Sequence, residues 1–180
     1  MSATPTGPGQ TPEPLAVLRQ GEGDAEVELR RSYPTTADDL WDALTAPGRV
    51  RRWLGALHGD LQPGGTVQLR MGDDVPGADD VATCTVLACE PPEHLRLDWR
   101  FPGEEVSRVD VALVPRGAQG TELVLRHARL ADGAARGYAG GWHVVADQLD
   151  DHLAGRQVRS WDDLFDARLA LYPAAGPRAS

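Results

Sequence analysis

The feature that most constrains the fold of this chain is an apolar stripe on its longest predicted helix, which follows a run of strand-like segments. Asp147, Asp150 and Asp151 lie on the other side of the helix, which predicts a solvated acidic face. The helix therefore needs an apolar partner, and a curved antiparallel sheet that it crosses would leave a pocket between the two. The stripe consists of Tyr138, Trp142, Val145, Ala146, Leu149 and Leu153.

Six stretches of alternating apolar and polar residues predict the strands of that sheet. The connections between the last five stretches are short and rich in Gly and Pro. Short connections of this kind join antiparallel neighbours, so these strands are expected to form a meander. The six stretches are 25–33, 66–71, 81–90, 94–101, 107–114 and 121–130.

Capping residues and periodicity predict the helices. A first helix over 37–45 follows Thr36, and a second short helix begins at Pro47 and extends to Leu54. The long helix covers about 135–154 and ends before a glycine. A last amphipathic helix begins after Ser160 and carries Trp161, Leu164, Phe165, Leu169 and Tyr172.

The length of 180 residues suits one folded domain, flanked by weaker segments. Residues 1–23 are predicted to be a disordered leader, because they contain few large apolar side chains. Leu15, Val17 and Leu18 are the exception and could pack as a short arm. The domain is expected at 24–155, a helical appendage at 156–172 and a loose tail at 173–180.

The net charge of −9, from 18 basic and 27 acidic residues, has the wrong sign for binding nucleic acid. No segment approaches the ~20 apolar residues that a membrane-spanning helix needs, and the first residues do not resemble a signal peptide. We therefore expect no membrane insertion and a cytoplasmic location. The pattern also predicts no metal and no cofactor, because His58 and His94 lack companions at ligand spacing.

The two cysteines, Cys84 and Cys89, lie five residues apart in one predicted strand. Alternation along a strand predicts that their side chains point to opposite faces, so they should not form a disulfide with each other. We interpret both as ordinary buried thiols.

Four short stretches of this sequence resemble a known family. They are 36–45 with Pro47 and 52–54, 90–92 with Leu95 and Trp99, 120–123 with Leu125 and His127, and Gly141 and Trp142 with Leu149 and Leu153. Their order and spacing are similar to the helix-grip superfamily of START and birch-pollen-allergen type, also called SRPBCC. Within it they resemble the branch of the activator of heat-shock-protein-90 ATPase. The resemblance covers about residues 25–155.

This resemblance implies an α+β helix-grip fold. A curved antiparallel sheet of about seven strands wraps around the long C-terminal helix, two short helices follow the first strand, and an apolar cavity lies between sheet and helix. Members of the superfamily include ligand carriers, polyketide aromatases and cyclases, hydrolases, self-resistance proteins and co-chaperones. The resemblance therefore implies a fold without implying a reaction.

The residues expected to line the cavity are mostly aromatic or aliphatic, as a pocket for an apolar ligand requires. Arg31, Tyr33 and His127 are candidate polar anchors for a ligand, although Arg31 and Tyr33 could instead lie at a strand end in solvent. His127 could act as a general base or could be a buried histidine bonded to the backbone. The cavity candidates are Trp41, Trp53, Leu69, Trp99, Phe101, Val111, Leu125, His127, Trp142, Val145 and Leu149.

Three functions remain open on the sequence alone. The first is binding of an apolar or aromatic small molecule by a non-catalytic carrier, sensor or sequestering protein. The second is a polyketide cyclase or aromatase that uses the same cavity, although Ser107 and Ser160 show no His and acid partners for nucleophilic catalysis. The third is a co-chaperone-like module that binds a protein partner, or a second copy of itself, through the leader or the segment 160–172.

Overall fold

The computed structural model describes residues 14–75 and 77–174. Predictions for residues 1–13 and 175–180 fall outside this part of the chain. The strands are β1 Ala16–Gln20, β2 Ala25–Tyr33, β3 Ala56–Gly59, β4 Thr66–Arg70, β5 Val81–Glu90, β6 His94–Arg100, β7 Ser107–Pro115 and β8 Thr121–Leu130. The helices are α1 Ala37–Thr45, α2 Pro47–Val50, α3 Ala135–Leu153 and α4 Trp161–Leu169, and a 3-10 turn covers Gly117–Gln119.

The strands form one open, fully antiparallel sheet in the order β1-β2-β8-β7-β6-β5-β4-β3. The strands from β3 to β8 are neighbours in chain order, which confirms the predicted meander. Helix α3 packs against β2 and β1, while α1 contacts β7. The α+β helix-grip architecture predicted from the sequence is therefore confirmed.

In the part of the chain that the structure describes, the sheet has eight strands where about seven were expected. The strand β3 was not predicted, and β1 lies in a segment that was predicted to be disordered. Strand β1 pairs with β2 and is also held at its start, because the hydroxyl of Tyr172 accepts hydrogen bonds from the backbone of Leu15 at 3.1 Å and of Ala16 at 3.2 Å. The short-arm interpretation of Leu15, Val17 and Leu18 is thus the better one for residues 15–20.

The first helix has the predicted bounds. Thr36 caps α1 by accepting a hydrogen bond from the backbone of Asp39, whose acidic side chain suits the first turn. Helix α2 ends at Val50, earlier than predicted, and hydrogen-bonded turns carry the chain from there to Leu54. The segment 51–54 therefore runs beside α1 and brings Trp53 to the core.

Helix α4 forms a third layer on the side of α3 that faces away from the sheet. Two glycines allow it to come close: a methyl group at Gly140 would lie 3.2 Å from the backbone of Leu169, and one at Gly141 would lie 3.2 Å from the Trp161 ring. Gly155 ends the α3 region with a φ of +67°, the left-handed conformation predicted for this position.

This third layer corrects the prediction of a solvated acidic face on α3. His143, Asp147 and Asp151 are only 3%, 6% and 2% exposed, because α4 and the segment leading to it cover that face. Asp147 pairs with Arg168 of α4 at 2.5 Å. A helical wheel separates two faces but does not show whether a later segment will cover the polar one.

Both cysteines are free, but they share one face of the sheet and not opposite faces. Cys84 lies opposite Trp99 and Cys89 opposite Leu95, and a bulge between Val86 and Ala88 supplies the extra residue that changes the alternation. Their separation along the strand still exceeds the reach of a disulfide.

Candidate functional site

A cavity of about 120 Å³ lies between α3 and the inner face of the sheet. Helix α1 and the segment 51–54 complete its wall. The lining residues come from most layers of the fold: Leu29, Trp41, Leu44, Thr45, Trp53, Leu54, Leu69, Leu95, Leu97, Trp99, Val109, Val111, Leu123, Leu125, Trp142, Val145, Ala146 and Leu149.

Nine of the eleven predicted cavity residues lie on this wall. Phe101 and His127 do not line the cavity, although Phe101 packs on the same core cluster as Trp99. The wall residues that sequence reasoning missed are all aliphatic except Thr45. Leu97 and Val109, for example, share an inward strand face with residues that were predicted. That any of these side chains contacts a ligand stays a prediction.

The surface that the cavity wall offers to a ligand is almost entirely carbon. The few polar groups of the lining residues are already hydrogen-bonded to protein. The hydroxyl of Thr45 donates to the carbonyl of Trp41 at 2.7 Å. The indole N–H of Trp53 donates to the carbonyl of Ala43 at 3.0 Å, and that of Trp99 to the hydroxyl of Tyr138 at 3.3 Å. A molecule in this cavity would be held by burial of apolar surface and shape more than by hydrogen bonds.

His127 lies directly behind the cavity wall, is fully buried, and has both ring nitrogens engaged. Nδ1 accepts a 3.0 Å hydrogen bond from the indole N–H of Trp142, and Nε2 lies 2.7 Å from the Ser107 hydroxyl. Because an indole N–H can only donate, Nδ1 must be the acceptor and Nε2 must carry the proton. Burial lowers the pKa of His127 to about 3, so the ring is neutral at physiological pH.

Ser107 therefore has the histidine partner that the sequence did not reveal. Ser107 and His127 cannot act as a nucleophile and its general base. The Nε2 atom that faces the serine oxygen already carries a proton, so it has no lone pair with which to accept the proton of the hydroxyl. The Ser107 hydroxyl donates its own hydrogen bond to the backbone carbonyl of Trp99 at 3.4 Å. Trp142 occupies the place that an acidic residue takes in a catalytic triad. Neither Ser107 nor His127 lines the cavity.

Arg31 and Tyr33, the other two candidate anchors, lie outside the cavity. Arg31 donates to Asp147 at 2.6 Å and pairs with Asp150 at 3.4 Å. Tyr33 is fully buried, and its hydroxyl donates to the carbonyl of Ala146 at 3.0 Å. Both side chains join β2 to α3. Neither Arg31 nor Tyr33 faces a common cavity with His127.

The aromatic residues of the C-terminal segment do not form one exposed patch. Tyr172 is 1% exposed, and its hydroxyl lies 2.8 Å from Nδ1 of His143. Trp161 is 39% exposed and stacks on Phe165 with the ring centroids 5.2 Å apart. The surface suggested for a protein partner thus reduces to this pair.

Within residues 14–75 and 77–174, no group of three or more His, Cys, Asp or Glu side chains is placed to hold a metal ion. In the same part of the chain, no helix is both long and apolar enough to cross a membrane. The expectations of no cofactor and of a cytoplasmic location stay predictions.

The curved sheet, the gripped helix and the cavity between them define a helix-grip protein of the SRPBCC type. The chain belongs to the family described as Activator of Hsp90 ATPase homolog 1-like protein, whose model matches residues 34–154. This confirms the resemblance found in the sequence. Among curated proteins, no sequence matches the chain.

Several solved structures share the fold at moderate identity. CalU16 from Micromonospora echinospora is 27% identical, with a TM-score of 0.71 over 87% of this chain and 94% of its own. A protein encoded by gene BPP1335 from Bordetella parapertussis is 29% identical, with a TM-score of 0.64 over 94% and 91%. DynU16, from the dynemicin biosynthetic locus, is 26% identical, with a TM-score of 0.65 over 75% of this chain and 49% of its own.

Proposed function

We propose that this protein binds a small apolar molecule, of the size of one aromatic ring, in the cavity between the sheet and α3. The observation that carries the proposal is a cavity whose wall is carbon and whose indole donors on Trp53, Trp99 and Trp142 are already bonded to protein. Such a site suits a carrier, sensor or sequestering protein, because it binds without offering a reactive group.

The cavity volume limits the size of the ligand. An engineered apolar cavity of ~150 Å³ in another protein binds benzene, and the cavity here measures about 120 Å³. A ligand that buries ~200 Å² of apolar surface gains about 5 kcal/mol before ordering costs. We therefore expect dissociation constants of about 0.2 mM or weaker for a simple ring.

A polyketide cyclase or aromatase is the second candidate, and one observation favours it: DynU16 is a protein of the dynemicin biosynthetic locus. The site gives this candidate less support, because a cyclase needs an acid or a base inside the cavity. His127 lies behind the wall with both nitrogens bonded, and Arg31 is paired with Asp147. A fused polyketide would also need the cavity to enlarge.

The experiment compares the wild type with a variant whose cavity is filled. Val111 lines the cavity in the middle of β7, whereas Val114 on the same strand lies opposite Glu122 on the other face. Val111→Phe should fill the cavity, and Val114→Phe adds the same ring outside it. Toluene or naphthalene is added stepwise to each protein while its tryptophan fluorescence is recorded. The thermal unfolding midpoint of each protein is then measured with and without each compound.

We expect toluene to raise the unfolding midpoint of the wild type and of Val114→Phe, because a ligand that binds only the folded state stabilises it. Val111→Phe should show no rise. Equal responses of all three proteins, or no response from the wild type to either probe, would contradict the proposal.

A further inference from the structure

Trp142 is the aromatic side chain that α3 contributes to the cavity wall, and its ring is held from behind by His127. The hydrogen bond from Nε1 of Trp142 to Nδ1 of His127 is 3.0 Å long, and the ring centroids are 5.8 Å apart. Ser107 on β7 fixes the other side of the imidazole. Rotation of the Trp142 ring would leave a buried donor and a buried acceptor unpaired, so this part of the wall keeps one shape.

Trp99 is fixed through the same cluster. Its indole N–H donates to the hydroxyl of Tyr138, whose ring lies edge-on against His127 with the centroids 4.3 Å apart. The hydroxyl of Tyr138 in turn donates to the carboxylate of Glu104. The ring centroids of Trp99 and Trp142 are 5.5 Å apart, and the interplanar angle is 63°. The imidazole also lies edge-on to the Trp99 ring with the centroids 6.0 Å apart, so it contacts both indoles and sets their relative orientation.

We infer that His127 is a positioning residue that sets the ligand specificity of the cavity by holding Trp142 and Trp99 in one orientation. The inference rests on the proposed function, since it concerns the same cavity. An apolar side chain would fill this place without the cost of burying a polar ring, and a fully bonded polar network makes a core adopt one arrangement. His127 reaches a ligand only through the two indoles that it holds.

The test compares His127→Leu with His127→Asn in the full chain. The amide oxygen of Asn lies near the position of Nδ1 and can still accept from Trp142, whereas Leu fills similar space without an acceptor. Val114→Phe, on the outer face of β7, is the control, because it leaves the imidazole and both of its partners in place. Toluene, with one ring, and naphthalene, with two fused rings, are the probes, and the ratio of their dissociation constants measures specificity.

We expect the wild type, His127→Asn and Val114→Phe to prefer toluene. In His127→Leu the preference should fall by about tenfold, the order of effect that one misplaced methylene has in an apolar pocket. A second readout needs no ligand: the NMR resonance of the Trp142 indole N–H should move towards that of an unbonded indole in His127→Leu and stay in place in the other two variants.

An unchanged ratio and an unchanged resonance in His127→Leu would overturn the inference even if the wild type binds toluene. A wild type that binds neither probe would overturn the proposed function together with it. If thermal unfolding shows that His127→Leu is not folded, His127→Met takes its place, because Met is also apolar and adapts to irregular space.

Discussion

Arg31 on β2 and Asp147 on α3 form a 2.6 Å hydrogen-bonded ion pair in the seam between the sheet and its helix. Asp147 is 6% exposed and also accepts from Arg168 of α4 at 2.5 Å. One carboxylate therefore joins three layers, namely the sheet, the gripped helix and the outer helix. An arginine that the sequence suggests as a ligand anchor is instead part of the frame that holds α3 against the sheet.

Removing this carboxylate should destabilise the fold. Asp147→Ala removes the carboxylate that Arg168 contacts and leaves Arg31 with only its longer pair to Asp150. Breaking a buried pair of this kind costs about 3 kcal/mol or more. Urea unfolding followed by circular dichroism measures the loss. Asp166→Ala, on the exposed side of α4, is the control and should change the free energy of unfolding by less than about 0.5 kcal/mol. Similar effects of the two substitutions would show that the pair contributes little.

Stability should fall on mild acidification, and buried histidines are the reason. Burial lowers the pKa of His127 from its ordinary 6.5 to about 3 and that of His143 to about 4. Between these values and 6.5 the unfolded chain binds protons that the folded chain does not, so the free energy of unfolding decreases as pH falls. The slope is up to about 1.4 kcal/mol per pH unit for each histidine.

Asp147 does not contribute to this pH window. Its burial opposes the charge, but hydrogen bonds from Arg31 and Arg168 outweigh burial and place its pKa below the ordinary 3.8. Its stabilisation is therefore lost only at lower pH. Urea unfolding at pH about 7 and about 5 tests the prediction: His127→Asn should flatten the dependence, and the same slope in this variant would rule out His127 as a source.

Local patterns were sufficient to predict α1, the meander and nine wall residues, because periodicity and capping depend on neighbours in sequence. Partners far along the chain were not predictable in this way. Strand β1 is short and depends on Tyr172, which lies more than 150 residues away, and the polar side of α3 is buried by a helix that follows it. For His127 the sequence left open a base facing the cavity and a buried histidine bonded to the backbone. The residue is buried, but its partners are the Trp142 indole and the Ser107 hydroxyl, which come from other elements. Its role as a base therefore remained open until the structure fixed its tautomer.

The glycines of α3 should respond differently to alanine. A methyl group at Gly137 meets nothing within 4 Å, so Gly137→Ala should raise the free energy of unfolding by up to about 1 kcal/mol through helix propensity. At Gly140 the new methyl lies 3.2 Å from the backbone of Leu169, and α4 must shift to accept it. Gly140→Ala should therefore gain nothing or lose stability. Equal gains at both positions in urea unfolding would show that α4 is not closely packed there.

The thiol of Cys84 should be unreactive in the folded protein. Burial raises its pKa to about 12, so almost none of the reactive thiolate is present near pH 8. Cys89 is only partly buried and should be alkylated first by iodoacetamide. Mass spectrometry after timed labelling distinguishes the two sites, with Cys89→Ser as the control that isolates Cys84. Rapid labelling of Cys84 without denaturant would mean that this part of the core opens readily.

The hydroxyl of Tyr172 should determine whether β1 stays on the sheet. It accepts from the backbone N–H groups of Leu15 and Ala16, and with both lone pairs used its own proton goes to Nδ1 of His143. Tyr172→Phe keeps the ring and removes the hydroxyl that bonds the two amides and Nδ1 of His143, at a cost of about 1–3 kcal/mol.

Hydrogen exchange locates this effect. In Tyr172→Phe the amides of Ala16–Gln20 should exchange much faster, because β1 is an edge strand held by β2 and this hydroxyl. The amides of Thr121–Leu130, in the middle of the sheet, should keep their protection, and Asp166→Ala on the exposed side of α4 should leave both strands unchanged. Uniform acceleration across the sheet would indicate global destabilisation, and no acceleration would show that pairing with β2 alone holds β1.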